Sequence, residues 1–186
     1  MLTYRLAPIA ALLLSACSQA LTPAATSSEI KGDSPEQISK ASTATQFQKE
    51  VERSKTLLSC GSTKTTPASG NWGALFGCIS GPAETVKFFI NEEPGTGKVS
   101  SVKFLWNDWF KNRGYGIHAD SKEADKMLRD LIKLYPSEHD EALLRAFKGS
   151  KNVIKEGNGY RFEYTFDRGP AIDERMIVVT PITLGT

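Results

Sequence analysis

Residues 153–167 read VIKEGNGYRFEYTFD, and this stretch decides the fold class. Its second half, residues 160–167, alternates strictly between aromatic and polar residues. A two-residue period is typical of a strand that buries one of its faces. Residues 157–159, Gly-Asn-Gly, supply the turn chemistry of a tight hairpin, and Val153 and Ile154 begin the strand before it. The stretch therefore predicts two antiparallel strands.

The same alternation predicts three more strands on either side of this hairpin. After a turn at Arg168-Gly169-Pro170, residues 176–180 alternate and form the last strand of the chain. Upstream, two alternating segments flank Pro94-Gly95-Thr96-Gly97, which is typical of the turn in a second hairpin. The residues expected to share one face of these two strands are Val86, Phe88 and Ile90, then Val102, Phe104 and Trp106.

Three segments show the 3.6-residue apolar period of a helix. They are residues 44–58, with Thr43 as the expected N-cap, residues 121–135, with Asp120 as the expected N-cap, and residues 138–148. Each segment has apolar residues on one side only, so each helix is expected to pack against the sheet along that side.

The segment between the first helix and the first hairpin, residues 61–77, contains Pro67, Gly70 and Gly73 and is predicted to be a loop. The order of elements is then helix, two strands, two helices and three strands. This order favours an α+β fold, with an antiparallel sheet of about five strands and helices packed on one face. Residues 43–186 are long enough for one such domain.

The N-terminus has the features of a secretory signal. One positive charge, Arg5, precedes an apolar run over residues 6–16, which at about 11 residues is too short to span a bilayer. The run ends in Leu14-Ser15-Ala16-Cys17, which resembles the bacterial lipobox. The resemblance implies a signal peptide over residues 1–16 and lipidation of Cys17 after cleavage. An ordinary signal peptide beside a chance cysteine and a short buried helix are the alternatives.

The lipobox resemblance also implies where the protein resides. Several acyl chains on Cys17 would hold the chain firmly at a bacterial membrane. Ser18, rather than Asp, follows the cysteine, and by similarity to enterobacterial sorting this favours the outer membrane, facing the periplasm. Residues 17–42 comprise the lipidated Cys17 and a segment without aromatic residues, which is expected to be a flexible tether.

The other two cysteines, Cys60 and Cys78, form an even pair in an oxidising compartment, which predicts a disulfide. Two buried thiols are the alternative. The chain has 23 Lys and Arg residues, and the 22 that remain after removal of Arg5 are balanced by 21 Asp and Glu. A nearly neutral chain gives no electrostatic reason to expect a nucleic-acid partner.

Catalytic, metal-binding and cofactor-binding motifs are not recognised in the sequence, so no catalytic residue, metal site or cofactor is expected. His118 and His139 are isolated along the chain. Either could act as a base, but a solvated structural role is expected for both. Oxidation of Cys60 would prevent it from acting as a nucleophile beside His118.

Residues 106–116, WNDWFKNRGYG, form the stretch with the strongest binding character. Aromatic rings interleaved with amide, carboxylate and basic groups are suited to stacking on sugar rings or to forming a protein-binding hot spot. Trp109, Arg113 and Tyr115 are the candidate binding residues. In the alternative interpretation, Trp109 fills a corner of the core and the glycines only turn the chain.

These patterns favour a membrane-anchored envelope lipoprotein with a non-enzymatic binding or structural role. Its expected partners are the membrane, through the lipid on Cys17, and an envelope protein or cell-wall component. One alternative is an inhibitor or immunity-type protein for a periplasmic enzyme, which a protruding aromatic loop would favour. Another is a cell-wall glycan-binding protein or enzyme, and a cleft with perturbed pKa values would favour the enzyme.

Overall fold

The computed structural model describes residues 43–112 and 114–182. The predicted signal peptide, the predicted tether with Cys17, and Arg113 lie outside these residues. The described helices are α1 (Gln46–Leu57), α2 (Ser121–Leu134) and α3 (Asp140–Lys148), and the strands are β1 (Ser62–Thr66), β2 (Leu75–Ser80), β3 (Val86–Glu92), β4 (Val99–Trp109), β5 (Val153–Gly157), β6 (Tyr160–Arg168) and β7 (Ile172–Pro181).

The seven strands form one antiparallel sheet in the order β1-β2-β3-β4-β7-β6-β5. The α+β class is confirmed, but the prediction of about five strands was wrong. Strand β1 and the start of β2 lie in the segment that was predicted to be a loop. Strand β1 reads Ser-Thr-Lys-Thr-Thr and is exposed throughout, so it has no apolar alternation. In β2, Phe76 and Cys78 are buried, but the run is too short to show a clear period.

Alternate strand residues form one buried face of the sheet, and residues from all three helices belong to the same core. Phe88, Phe104 and Tyr164 are fully buried in this core together with Leu128 of α2 and Phe147 of α3. Phe147 stacks on Phe104 with 5.2 Å between the ring centroids, which fixes α3 over the central strands. The intervening strand residues are half-buried or exposed.

Cys60 and Cys78 form the expected disulfide, with 5.5 Å between their Cα atoms. Cys60 lies between α1 and β1, whereas Cys78 is buried in β2 and faces Thr63 of β1 in the register. The bond closes the segment that contains β1, a strand with little buried surface of its own. Closing a loop of this size lowers the entropy of the unfolded chain, which corresponds to roughly 3 kcal/mol of stabilisation.

Two helix starts differ from the prediction in how they are capped. Helix α1 is capped by Thr45, whose hydroxyl accepts a hydrogen bond from the Gln48 amide while the Gln48 side chain accepts one from the Thr45 amide. This capping box begins two residues after the expected Thr43. Helix α2 begins at Ser121, as predicted, but the carboxylate of Asp120 makes no hydrogen bond to the helix.

Candidate functional site

The β4–α2 loop, residues 110–120, follows the longest strand of the sheet and includes the predicted binding residue Tyr115. The side chain of Tyr115 is 69% exposed, and that of Ile117 is 57% exposed. Trp109, the last residue of β4, is half-buried at the base of the loop. Arg113 lies outside the described residues. The loop therefore presents two large apolar side chains to solvent.

The second half of the loop is attached to its own strand, β4. The His118 amide donates to the carbonyl of Trp109 over 2.7 Å, and the Trp106 indole Nε1 donates to the carbonyl of Ala119 over 3.1 Å. The His118 Nδ1 lies 2.6 Å from Oδ1 of Asp108, a buried residue of β4, while most of the His118 side chain is exposed. These contacts hold residues 118–119 against the end of β4.

Asp120 attaches the end of the loop to the β2–β3 connection. Its carboxylate accepts hydrogen bonds from the amides of Ala83 and Thr85 and from the Thr85 hydroxyl, over 2.9–3.2 Å. Asp120 is buried and has a φ of 58°, a left-handed conformation that Asp adopts more readily than most residues. A Cβ at Gly81 would lie 2.2 Å from the Asp120 carboxyl carbon, so the connection needs a glycine there. Both carboxylate oxygens serve the connection, which explains why Asp120 does not cap α2.

The first half of the loop is shaped by Asn112. Its side-chain oxygen accepts hydrogen bonds from the amides of Gly114 and Gly116, over 2.9 and 3.2 Å. These two glycines have φ values of 106° and 93°, which residues with a side chain rarely adopt. The Phe110 amide donates to the carbonyl of Ala171, between β6 and β7, over 3.3 Å. The loop is thus attached to three other parts of the domain.

Trp109 lies on the face of the sheet that alternates with the buried one. It faces Ile172 of β7 in the register and lines a hollow of about 500 Å³ together with Pro170 and Glu174. The sequence left two environments open for Trp109, a position in the core and a fully exposed contact. The half-buried side chain is intermediate between them.

Arg175, Asp108 and Asp173 form a buried cluster of charged groups on the helix side of the sheet. The Nε of Arg175 donates to Oδ2 of Asp108 over 3.2 Å, so Asp108 is held between Arg175 and His118. Its Nη1 donates to the carbonyls of Phe147 and Gly149, at the C-terminal end of α3, over 2.9 and 2.6 Å. The arginine therefore connects β4, β7 and α3.

Aromatic rings and a second carboxylate complete the surroundings of Arg175. Its guanidinium lies 5.8 Å from the centroid of the Trp106 ring and 5.0 Å from that of Phe166. Asp173, also buried, accepts two hydrogen bonds from Arg168, and this pairing raises the pKa of Arg168 above its ordinary value. The charges in the cluster are thereby matched to one another.

The hydroxyl of Tyr164 lies in the same cluster. Burial is the main influence on this group and raises its pKa above the ordinary value, while the hydrogen bond from Arg175 opposes the rise. The Tyr164 hydroxyl also donates to the carbonyl of Gly149 over 3.3 Å. A neutral tyrosine is the form that can make both contacts.

Three residues that shape the site, Asp108, Asp120 and Arg175, were not identified from the sequence. For two of them a signal existed. Asp108 follows Trp106 by two positions and Arg175 precedes Ile177 by two, so both charges lie in the core-facing register of their strands, where burial is costly unless they are paired. Asp120 gave no such signal, since its partners lie 35 or more residues away in sequence.

Within residues 43–112 and 114–182, no three His, Cys, Asp or Glu side chains gather closely enough to hold a metal ion. No helix in this part of the chain combines the length and the apolar character needed to cross a bilayer. No family model, no curated protein and no solved structure matches the chain.

Proposed function

We propose that this chain is a lipid-anchored bacterial envelope protein whose domain binds another envelope component through the β4–α2 loop, without catalysing a reaction. One observation carries the proposal. Tyr115 and Ile117 are exposed on a loop that is attached at its start and at its end. Phe110 bonds to the β6–β7 turn, and residues 118–120 bond to β4 and to the β2–β3 connection.

A fixed loop favours binding because little conformational freedom is lost when a partner docks. Tyr, Trp and Arg are the residues that most often dominate the binding energy of protein interfaces. Tyr115 supplies one such residue in the loop, and Arg113 is its near neighbour in sequence. Trp109, at the base of the loop, lines a hollow on the sheet together with Pro170 and Ile172.

The anchoring part of the proposal is supported by the sequence Leu14-Ser15-Ala16-Cys17 and by the composition of residues 17–42. A flexible tether of about 26 residues has a root-mean-square span of roughly 30 Å. A domain held at that distance would meet partners in the same membrane or in the adjacent periplasm. Metabolic labelling with a fatty-acid analogue tests the anchor, because the Cys17→Ser variant is expected to take up no label.

A more specific version of the proposal is an inhibitor or immunity-type protein for a periplasmic enzyme. The exposed aromatic ring of Tyr115 on a fixed loop favours this version, since such a loop is suited to filling the concave site of an enzyme. The general and the specific version share the same contact surface and differ in the nature of the partner.

Photo-crosslinking in intact cells tests the contact surface. The photoreactive residue p-benzoylphenylalanine is introduced at Tyr115 and, as a control, at Trp72, which is even more exposed but lies in a different loop. We expect a discrete crosslinked species from position 115 and none of that mass from position 72. The same species at equal yield from both positions would contradict a specific contact through the β4–α2 loop.

The identity of the crosslinked partner separates the two versions. If the partner is an enzyme and the purified lipoprotein inhibits it, the inhibitor version is supported. If the partner retains full activity or is not an enzyme, the protein is a binding component of the envelope. In either case, Tyr115→Ala and Arg113→Ala are expected to weaken the complex by about tenfold or more, the loss typical of a hot-spot residue.

A further inference from the structure

The helix side of the sheet contains a cavity of about 300 Å³ that the proposed function does not use. It lies at the start of α2, beside the buried cluster of charged groups. Trp106 and Phe147 contribute apolar wall, and Lys122, Lys148 and Arg175 contribute positive charge. We propose that this cavity binds a small ligand that bears an oxyanion, either a carboxylate or a phosphate.

Arg175 provides the most strongly fixed donor in the cavity. Its Nε and Nη1 are bonded to Asp108 and to the carbonyls at the end of α3, so the guanidinium cannot turn. Its Nη2 has no hydrogen-bond acceptor among the described residues, and an Asp173 oxygen lies 4.0 Å away. A fixed guanidinium nitrogen with unused donor capacity is well suited to an oxyanion.

Two lysines add positive charge at the exposed side of the cavity. Lys122 and Lys148 are exposed, and neither ammonium group lies within 4 Å of a carboxylate oxygen of the described residues. By contrast, Lys126 and Lys133, further along α2, both pair with Asp130. The lysines at the cavity are thus free to approach a bound anion, whereas those further along α2 are already engaged.

The carboxylates that line the cavity offset only part of this positive charge. Asp108 is paired with Arg175 and also contacts His118, so it balances the charge of the arginine. The two lysines outnumber Asp125, the other carboxylate of the lining, which leaves an excess of positive charge.

The start of α2 adds to the positive potential. Because the Asp120 carboxylate bonds to the β2–β3 connection, it does not cap the first amides of α2. Unsatisfied amides at a helix start carry partial positive charge. Together with the fixed guanidinium, they favour an anion over a neutral ligand in the cavity.

The size of the cavity limits the ligand to a small molecule. Ligand pockets range from about 300 to 1,000 Å³, and this cavity is at the lower end. An amino-acid derivative or a sugar phosphate is of suitable size. The cavity is on the opposite side of the sheet from Trp109, so this inference does not depend on the proposed function.

Isothermal titration calorimetry of the mature lipoprotein in detergent tests the inference with two probes, N-acetylalanine and inorganic phosphate. N-acetylalaninamide, which has nearly the same shape as the first probe but no charge, is the control. We expect saturable one-to-one binding of at least one anion, with a dissociation constant of about 1 mM or lower, and no saturable binding of the amide. The probe that binds shows whether the oxyanion is a carboxylate, a phosphate or either.

Variants of the exposed lysines test whether the anion binds in this cavity. Because these side chains are exposed, the variants are expected to fold normally. The double variant Lys122→Gln/Lys148→Gln should weaken anion binding at least tenfold, whereas Lys151→Gln, an exposed lysine outside the cavity, should leave it unchanged. The bound anion should also protect Lys122 and Lys148, but not Lys151, from chemical acetylation. The inference is overturned if neither anion binds, if the amide binds equally well, or if the double variant binds like the wild type.

Discussion

Two loops of this domain expose a large aromatic side chain, and they are held in different ways. Trp72, in the β1–β2 loop (residues 67–74), is 80% exposed, and Tyr115 in the β4–α2 loop is 69% exposed. The part of the β1–β2 loop around Trp72 is closed by its own backbone, where Ser69 and Trp72 exchange two hydrogen bonds, and the end of the loop at Ala74 bonds to Glu92 of β3. The β4–α2 loop is attached to other elements by the buried side chains of Asp108 and Asp120.

The difference shows that exposure of an aromatic residue is a weaker indication of binding than the way in which its loop is held. The turn that carries Trp72 is closed by two backbone hydrogen bonds. Burial of the carboxylates of Asp108, near the end of β4, and of Asp120, at the end of the loop, is unfavourable unless each finds hydrogen-bond partners, and each does. We infer that binding depends on the conformation of the β4–α2 loop and does not depend on that of the β1–β2 loop.

The largest effect on stability is expected at the disulfide that closes the segment containing β1. Replacing both cysteines, Cys60→Ala with Cys78→Ala, should lower the free energy of unfolding by about 3 kcal/mol, because the unfolded chain regains the entropy that the disulfide removes. Urea unfolding measures the loss. Hydrogen exchange should become faster in β1, while the amides of residues 110–120 keep their protection. Equal loss of protection in the two loops would show that they are not held independently.

The next largest effect is expected at the anchor of the β4–α2 loop. Asp120→Ala should lower the free energy of unfolding by about 2–3 kcal/mol, since two amides and a hydroxyl lose a charged acceptor and Ala is less favourable at positive φ. Asp120→Asn is the matched control and should cost less, because Asn tolerates the same φ and keeps one acceptor oxygen. A cost within about 0.5 kcal/mol for Asp120→Ala would mean that this anchor contributes little.

A smaller effect is expected at the base of the β4–α2 loop, on the sheet. Trp109→Ala should lower the free energy of unfolding by about 1–2 kcal/mol, less than the roughly 3–5 kcal/mol of a fully buried tryptophan, because its side chain is only half-buried. Trp109→Phe should recover part of the loss by keeping an aromatic ring in the hollow beside Pro170 and Ile172. Thermal unfolding of both variants measures this, and a loss at the value for a fully buried side chain would assign Trp109 to the core.

The smallest change in stability is expected at the two exposed rings themselves. Tyr115→Ala and Trp72→Ala should each alter the free energy of unfolding by no more than about 0.5 kcal/mol. Their effects on binding should differ, however. With the photoreactive residue placed at Ile117, Tyr115→Ala should reduce the crosslinked species while Trp72→Ala leaves it unchanged. Equal yields from the two variants would remove the functional distinction between the loops.

Local patterns in the sequence were sufficient for much of the fold. The alternation over residues 160–167 predicted strand β6, and Val153 and Ile154 indicated the start of β5. Asn158 and Gly159, both with positive φ, form the predicted turn between them. The pairing of Cys60 with Cys78 was predicted from their number and from the oxidising compartment that the sequence suggests, and the bond is present. These features depend on neighbouring residues or on residue counts, so a single sequence was enough to predict them.

The features that only the tertiary structure decided all depend on residues far apart in the sequence. Strand β1 is held by its pairing with β2, and its own five polar residues show no strand period. Asp120 has the residue type and the position of a helix cap, and its partners at Ala83 and Thr85 decide otherwise. Arg175 meets Asp108 because β4 and β7 are neighbours in the sheet. The sequence by itself determined most of the helices and strands, whereas the candidate site arises where three separate parts of the chain exchange hydrogen bonds.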